Sequence, residues 1–142
     1  MSLDMGPAIR TAILADASIT ALISTYLGAP AVFTRRPVPT GTTYPLITIG
    51  EDVSVTDVDA LVSVRPVMIR DVFVYGNKPT QQRDVDEVAY LLRELFHRKK
   101  DSLTNADYDI IQVQVYGPRA APTSDDEIIG RLVSLTITTR RK

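Results

Sequence analysis

The chain has 142 residues, of which 44% are hydrophobic and 23% are charged, and its formal net charge is −1 with a pI near 5.8. These values exclude disordered and membrane classes, so we expect residues 1–142 to form one domain. The charge balance excludes a global basic field for nucleic acid, and the absence of cysteine excludes disulfides and thiolate metal sites. Without a signal-peptide pattern or a long apolar run, we expect no membrane contact.

The N-terminal segment has the pattern of a helix that is bent or split. Pro7 suits the first turn of a helix, and apolar side chains recur at three- and four-residue spacing over residues 9–26. Gly28 ends the pattern. Because Asp16 and Ser18 are capping residue types, we predict that the helix bends or divides there.

Strands are predicted next, separated by exposed connections. Residues 31–34 have the composition of a short strand, and residues 35–44 that of an exposed loop. From Pro45 onward apolar residues alternate, which predicts a half-buried strand with a bulge at Gly50. Residues 56–63 lack a clear period and form either a hairpin connection or a long mobile loop.

The middle of the chain predicts a central strand followed by a helix. Residues 67–75 carry apolar side chains on both parities, as in a strand covered on both faces. Thr80 is expected to cap the next helix, whose acidic early turns and basic end at residues 97–100 complement the helix dipole. The apolar face of this helix consists of Val85, Val88, Ala89, Leu92, Leu95 and Phe96.

Two further alternating strands complete the pattern. The first is built on Ile111, Val113 and Val115, and the second on apolar residues of 133–137. Residues 117–127 between them are too long for a tight hairpin and form a candidate functional loop. The element order predicts an α+β fold, with a mostly antiparallel sheet of four or five strands packed by one or two main helices.

Residues that carry catalysis are scarce. His97 is the only histidine, and we interpret it as a cation at a helix end. Asp125 to Glu127 is interpreted as a solvated acidic loop rather than a cation site. Asp57 and Asp59 are adjacent in sequence, which does not supply the separation of a catalytic dyad. We therefore expect no enzyme, no metal and no cofactor.

Two basic clusters, residues 97–100 and 140–142, are interpreted as a solubilising helix end and tail. A small nucleic-acid-binding α+β module that uses the sheet and the second cluster is the alternative from a different class. The acidic pI weighs against that alternative.

Three stretches resemble the tail terminator, or tail-completion, family of long-tailed bacteriophages and prophages. They are AIRTAILADASITALI at residues 8–23, YPLITIGED at residues 44–52, and VFVYG at residues 72–76, which leads into a helix. The order and spacing of these stretches carry the resemblance across most of the chain.

The resemblance implies a structural protein that forms a ring, usually a hexamer, on the end of the tail tube. Its partners would be copies of itself, the tail tube protein and the head–tail connector protein, with DNA only passing through the lumen. It would end tube polymerisation and join tail to head, and it would be found in the virion tail or neck after synthesis in the host cytoplasm. A head–tail connector or other neck protein is the related alternative.

Exposed loops are the predicted interface of such a ring. We predict contacts from the loops at residues 35–43, 56–63 and 117–127. Because Arg35 and Arg36 are opposite in charge to the acidic run at 125–127, we hypothesise that they meet across neighbouring subunits. The predicted interface residues are Arg35, Arg36, Asp57, Asp59, Arg119, Asp125, Asp126 and Glu127.

Overall fold

The chain folds as an α+β structure in which helices pack on one face of a five-stranded sheet. A computed structural model describes residues 4–34, 38–60, 63–123 and 125–142. The helices are α1 (Gly6–Leu14), α2 (Ala17–Thr20) and α3 (Gln82–Phe96), followed by a short 3-10 helix (Lys100–Ser102). The strands are β1 (Thr25–Tyr26), β2 (Ala29–Pro30), β3 (Val32–Phe33), β4 (Leu46–Ala60), β5 (Ser63–Asn77), β6 (Tyr108–Ala120) and β7 (Ile128–Arg141).

The predicted split of the first helix is confirmed. The Asp16 carboxylate accepts hydrogen bonds from the backbone N–H groups of Ser18 (2.9 Å) and Ile19 (3.2 Å), which starts α2 as a separate helix. The helical pattern predicted to run to residue 26 is wrong beyond α2. Leu27 and Gly28 have positive φ angles of 51° and 80°, and they turn the chain so that β1 pairs antiparallel with β2.

The main sheet has the strand order β3-β4-β5-β7-β6. Its pairs are antiparallel except β3–β4, which is parallel. This arrangement confirms the predicted class and a mostly antiparallel sheet, and it adds one parallel pair at an edge. The parallel pair arises because β1 and β2 return the chain beside β4 before the long connection that precedes Leu46.

The segment at residues 56–63 was predicted as a connection, but most of it belongs to the sheet. Its first five residues continue β4, and Ala60 pairs with Ser63 of β5 in one long hairpin. The apolar parity changes from Val53 and Val55 to Val58, which hides the strand in the sequence although the backbone ladder continues. The predicted bulge near Gly50 is confirmed by the register shifts on either side of Asp52.

The predicted loop at residues 117–127 is also shorter than expected. Strand β6 continues through Gly117 to Ala120 after a register shift between Tyr116 and Arg119. Gly117 has a φ of +103°, and a Cβ atom there would lie 2.9 Å from the carbonyl oxygen of Leu132. The glycine therefore permits a bulge where the sequence indicated the end of a strand.

The core lies between the helices and one face of the sheet. Strand β5 contributes Met68, Val72 and Val74, which are fully buried, whereas Phe73 and Tyr75 on the other face are half-buried. The prediction that β5 is covered on both faces is confirmed in part, because α1 and α3 pack on one side and the side chains of the other side are partly buried. The remaining main core residues are Ile9, Ile13, Ile47, Ile49, Val85, Val88, Leu92, Phe96, Val113, Val115, Val133, Leu135 and Ile137.

Helix α3 has the predicted apolar face but not the predicted cap. Thr80 lies outside the helix, and Gln81 precedes its first residue. The Gln81 side chain accepts a hydrogen bond from the backbone N–H of Asn77 (2.9 Å) and donates one to the carbonyl oxygen of Tyr44 (3.0 Å). It therefore fastens the start of α3 to the connection before β4.

Candidate functional site

The sheet face that points away from α1 and α3, here called the open face, is a candidate contact surface. In antiparallel pairs, directly opposed residues share a face, so the register defines its members. The open face consists of Val67, Ile69, Asp71, Phe73 and Tyr75 from β5, Leu132, Ser134, Thr136 and Thr138 from β7, and Gln112, Gln114, Tyr116 and Arg119 from β6.

A polar relay crosses three strands of the open face. Arg119 Nη2 donates to Ser134 Oγ at 3.3 Å, and Ser134 Oγ donates to Asp71 Oδ1 at 2.5 Å. Ser134 is only 6% exposed, whereas Arg119 is exposed. Arg119, one of the predicted interface residues, thus lies on β6, and its hydrogen bond to Ser134 orients its side chain. The sequence signal for the relay is Asp71, the one carboxylate in β5, and it was missed in the sequence-based prediction.

Aromatic side chains flank this relay. The rings of Phe73 and Tyr75 stack with centroids 6.1 Å apart and an interplanar angle of 3°. Tyr116 is 55% exposed and donates its hydroxyl hydrogen bond to Gln114 Oε1 at 3.0 Å. Aromatic side chains beside an arginine are the composition that protein interfaces favour.

The acidic loop, residues Asp125 to Glu127, lies at the end of the sheet where β7 begins. All three side chains are exposed. Asp125 Oδ1 accepts the backbone N–H of Glu127 at 2.9 Å, and the Glu127 carbonyl accepts the N–H of Lys78 at 2.7 Å. The backbone of this loop is thus held between β5 and β7 while its carboxylates face solvent.

The first turns of α3 add further carboxylates near the acidic loop. Asp86 forms an ion pair with Arg131 of β7 at 2.9 Å, which fixes the start of α3 next to the start of β7. Asp84 and Glu87 belong to the same turns. We call this region the acidic end of the molecule.

The two basic clusters converge at the opposite end of β7. Lys100, Arg140 and Lys142 line one cleft of about 380 Å³, here called the basic cleft, together with Asp101 and Asp109. Arg140 lies 3.5 Å from Asp109, in an ion pair whose side chains are about half exposed. In the sequence the two clusters lie about 40 residues apart, and only the pairing of β6 with β7 brings them together.

The free edge of β6 is closed by the C-terminal part of α3. Arg93 Nη1 donates to the carbonyl oxygens of Val115 (2.9 Å) and Gly117 (3.0 Å). His97 Nδ1 accepts the N–H of Val115 at 3.1 Å, and the N–H of Arg98 donates to the Val113 carbonyl at 2.8 Å. These backbone groups of Val113, Val115 and Gly117 are therefore already paired.

The interpretation of His97 as a helix-end cation is wrong. Its Nδ1 atom accepts a hydrogen bond, which only the neutral imidazole can do. Desolvation, followed by the positive charges of Arg93 and Arg98, lowers the pKa of His97 below its ordinary value of 6.5. The side chain serves as a neutral acceptor that closes the β6 edge.

The other predicted interface residues are not brought together. Asp57 and Asp59 belong to β4, where they pair with Pro66 and Val64 rather than lying in a loop. Arg35 and Arg36 lie outside the described residues, so their hypothesised contact stays a prediction.

A metal site and a membrane-spanning helix are both absent from the described ranges of the chain. Among the residues of those ranges, no group of three or more histidine, aspartate or glutamate side chains is placed to hold a metal ion. In the same part of the chain, no helix combines the length and the apolar character needed to cross a membrane.

Comparison with known proteins finds similar solved structures. No family model matches the chain. No curated protein matches it either. The fold is similar to that of a chain in a structure described as the virion of a native gene transfer agent particle, with a TM-score of 0.74 and 16% sequence identity. The superposition covers 99% of this chain and 98% of that chain, which shows that the two share one fold from end to end.

Proposed function

We propose that this protein is a structural component of a phage-like particle, and that it forms a ring which caps the tail tube and joins it to the head connector. The observation that carries the proposal is the end-to-end likeness of fold to a chain of a gene transfer agent virion. The resemblance of residues 8–23, 44–52 and 72–76 to the tail terminator family points to the same kind of particle and narrows the role.

The proposed mechanism is geometric rather than chemical. A ring closes when one surface of each subunit binds a different surface of the next and the rotation between them returns to the start. One face of such a ring would then contact the last layer of the tube and prevent addition of further tube subunits. The open face combines the aromatic side chains of Phe73, Tyr75 and Tyr116 with the Arg119 relay, a composition suited to such contacts.

The activity in this proposal is binding, without catalysis. A reaction would need a positioned nucleophile, base or metal. The sole histidine, His97, is committed to a backbone hydrogen bond at the β6 edge. The carboxylates of the acidic loop face solvent rather than a cleft. These placements support a role in assembly.

The proposal is tested by particle mass and by electron microscopy. Light scattering across a concentration series, with negative-stain images of the same samples, would be recorded with and without purified tail tubes of the matching phage. We expect closed rings, free or only on tube ends, and tubes that stop growing when the protein is present. Tubes that keep growing and carry no added density at their ends would contradict the proposal.

A head–tail connector is the second candidate, because the likeness is to a particle component whose position is not specified. A connector binds the portal side of the head, whereas a terminator binds tube ends. Presenting isolated heads and isolated tubes to the same protein therefore distinguishes the two. Salt-sensitive binding to DNA without binding to either would instead favour the nucleic-acid module.

A further inference from the structure

The two ends of strand β7 carry opposite charges. The strand has 14 residues, so at a rise of about 3.3 Å per residue its ends lie about 40 Å apart. The acidic loop immediately precedes its first residue, and Arg140 to Lys142 close its other end. Helix α3 has the same polarity, because its early turns hold Asp84, Asp86 and Glu87 and its end leads into the basic residues 98–100.

The basic cleft is a shaped receptor for carboxylates. Its cations come from the 3-10 helix and from the end of β7, which lie about 40 residues apart in sequence. Arg140 is partly neutralised by Asp109 at 3.5 Å. Lys100 and Lys142 are exposed, and neither forms an ion pair with another residue in the described ranges. Two lysines at one cleft are therefore available to an incoming anion.

The acidic loop has the properties of the complementary segment. Its three successive carboxylates are exposed, and its backbone is held by the Asp125 and Lys78 hydrogen bonds. Since the loop is fixed before binding, less conformational entropy is lost when it docks. Its position at the far end of the molecule prevents it from reaching the cleft of its own chain.

We infer that copies of this chain associate head to tail, with the acidic loop of one copy seated in the basic cleft of the next. The inference deepens the proposed ring, on which it rests, by naming the two unlike surfaces that meet. Charge complementarity of this kind sets the orientation of the subunits and speeds their encounter. Because the two surfaces differ, each subunit can bind a neighbour on both sides, whereas a contact between two identical surfaces would stop at a dimer.

A second copy fits the basic cleft better than nucleic acid does. The cleft contains two carboxylates, Asp101 and Asp109, beside its three cations, so its positive excess is one charge, which is small for an extended phosphate backbone. The whole chain has a net charge of −1, so no long-range field draws it to a polyanion. A short carboxylate segment can instead contact Lys100 and Lys142 individually.

Crosslinking between single cysteines tests the contact, because the chain contains no cysteine of its own. Thr104→Cys, at an exposed position that lines the cleft, and Pro122→Cys, at an exposed position beside the acidic loop, leave the charges of both surfaces in place. The two proteins, mixed at low ionic strength, would be treated with a short bismaleimide. The control replaces Pro122→Cys by Tyr90→Cys, at an exposed position in the middle of α3. We expect the first mixture to give at least about fivefold more dimer than the control, with the excess disappearing at 1 M salt. Equal yields in the two mixtures would overturn the inference.

Charge reversal provides the second test. Lys100→Glu with Lys142→Glu, or Asp126→Lys with Glu127→Lys, should each weaken self-association by about tenfold or more, because like charges then meet. All four changes in one chain should restore it, since complementary ends are present again. If the two double variants associate like wild type, or if the fourfold variant stays as weak as they are, the inference is overturned.

The outcomes for the contact and for the proposed function are separable. Rings on tube ends without the specific crosslink would leave the function standing and remove the head-to-tail contact. Specific crosslinks in a protein that binds neither tubes nor heads would support the head-to-tail contact and contradict the proposed function. Loss of the crosslink together with salt-sensitive binding of labelled duplex DNA that needs Lys100 and Lys142 would assign the cleft to nucleic acid and overturn the inference.

Discussion

The two edges of the five-stranded sheet are treated differently. At the β6 edge, Arg93, His97 and the backbone of Arg98 pair with the outward-facing groups of Val113, Val115 and Gly117. At the opposite edge, β3 pairs with only two residues of β4, Ile47 and Thr48. Within the described residues, the rest of β4 from Ile49 to Ala60 has no further strand on that side.

The difference shows where this fold permits strand addition. An edge whose donors and acceptors are already bonded cannot recruit another strand, whereas a bare edge can. The β4 edge is instead shaped by the bulge at Gly50, whose carbonyl oxygen accepts a hydrogen bond from Arg70 Nε at 2.8 Å. One edge is thus closed by a helix from Val113 to Gly117, whereas in the other edge strand the bulge is bonded to a buried arginine of β5.

The largest expected effect comes from Arg70 of β5, which donates to the bulge in β4. Arg70 is 6% exposed and also contacts Asp4 Oδ1 at 2.9 Å, which ties the segment before α1 to the bulge. We expect Arg70→Met to lower the free energy of unfolding by about 3 kcal/mol, because two charge-assisted hydrogen bonds are lost. Urea denaturation measures this loss. The matched control is Arg10→Met, which removes one bond of 3.2 Å to the Val32 carbonyl and should cost about 1 kcal/mol. Equal losses would contradict the role assigned to Arg70.

Gly117 tests the bulge at the β6 edge. A Cβ atom at Gly117 would lie 2.9 Å from the Leu132 carbonyl oxygen, and the residue has a φ of +103°. We expect Gly117→Ala to destabilise the fold by about 2 kcal/mol or more through clash and backbone strain. Gly41→Ala is the control, since Gly41 has a φ of +88° with nothing within 4 Å of its Cβ position. Gly41→Ala should lower the free energy of unfolding by only about 1 kcal/mol, which is the cost of the positive φ alone. Thermal unfolding measures the Tm of both variants. If the two substitutions lower the Tm equally, the approach of the Cβ atom at residue 117 to the Leu132 carbonyl oxygen does not affect stability.

Arg93 tests whether the helix end keeps the β6 edge closed. We expect Arg93→Met to cost about 1–2 kcal/mol, less than Arg70, because water can reach the freed carbonyls of Val115 and Gly117. The variant should also self-associate more in sedimentation runs as the edge opens. Arg83→Met, at an exposed position on the same helix, should stay within about 0.5 kcal/mol of wild type. If Arg93→Met changes neither the free energy of unfolding nor self-association, the edge is closed by other contacts.

The sequence predicted this fold where a single period persisted. The α3 face and the strand at 133–137 kept their periods, and both were predicted correctly. Prediction failed at Gly117, where a bulge carries the strand past a residue type that often ends one. It also failed at residues 56–60, where the apolar period stops although the ladder continues without a register shift.

The candidate surfaces were less accessible to sequence reasoning than the fold. Arg119 and the acidic loop were identified as charged positions between strands, and the structure describes both. The basic cleft needs the β6–β7 register, and the relay needs Asp71, Ser134 and Arg119 to align across three strands. Neither the cleft nor the relay can be predicted from the spacing of residues within one strand or helix.

His97 gives the smallest effect and the sharpest test of the closed edge. Because the pKa of His97 is lowered in the folded state, the unfolded chain binds the proton more readily, and its contribution to stability is complete above the ordinary value of 6.5. That contribution is lost as pH falls through the lower folded pKa, where protonation removes the Nδ1 acceptor for Val115. In His97→Asn, Oδ1 can take the place of Nδ1 without titrating. We therefore expect wild type to lose more Tm than His97→Asn between about pH 7.5 and about pH 5. Carboxylates titrate alike in both proteins, so parallel Tm profiles would mean that His97 does not close the edge.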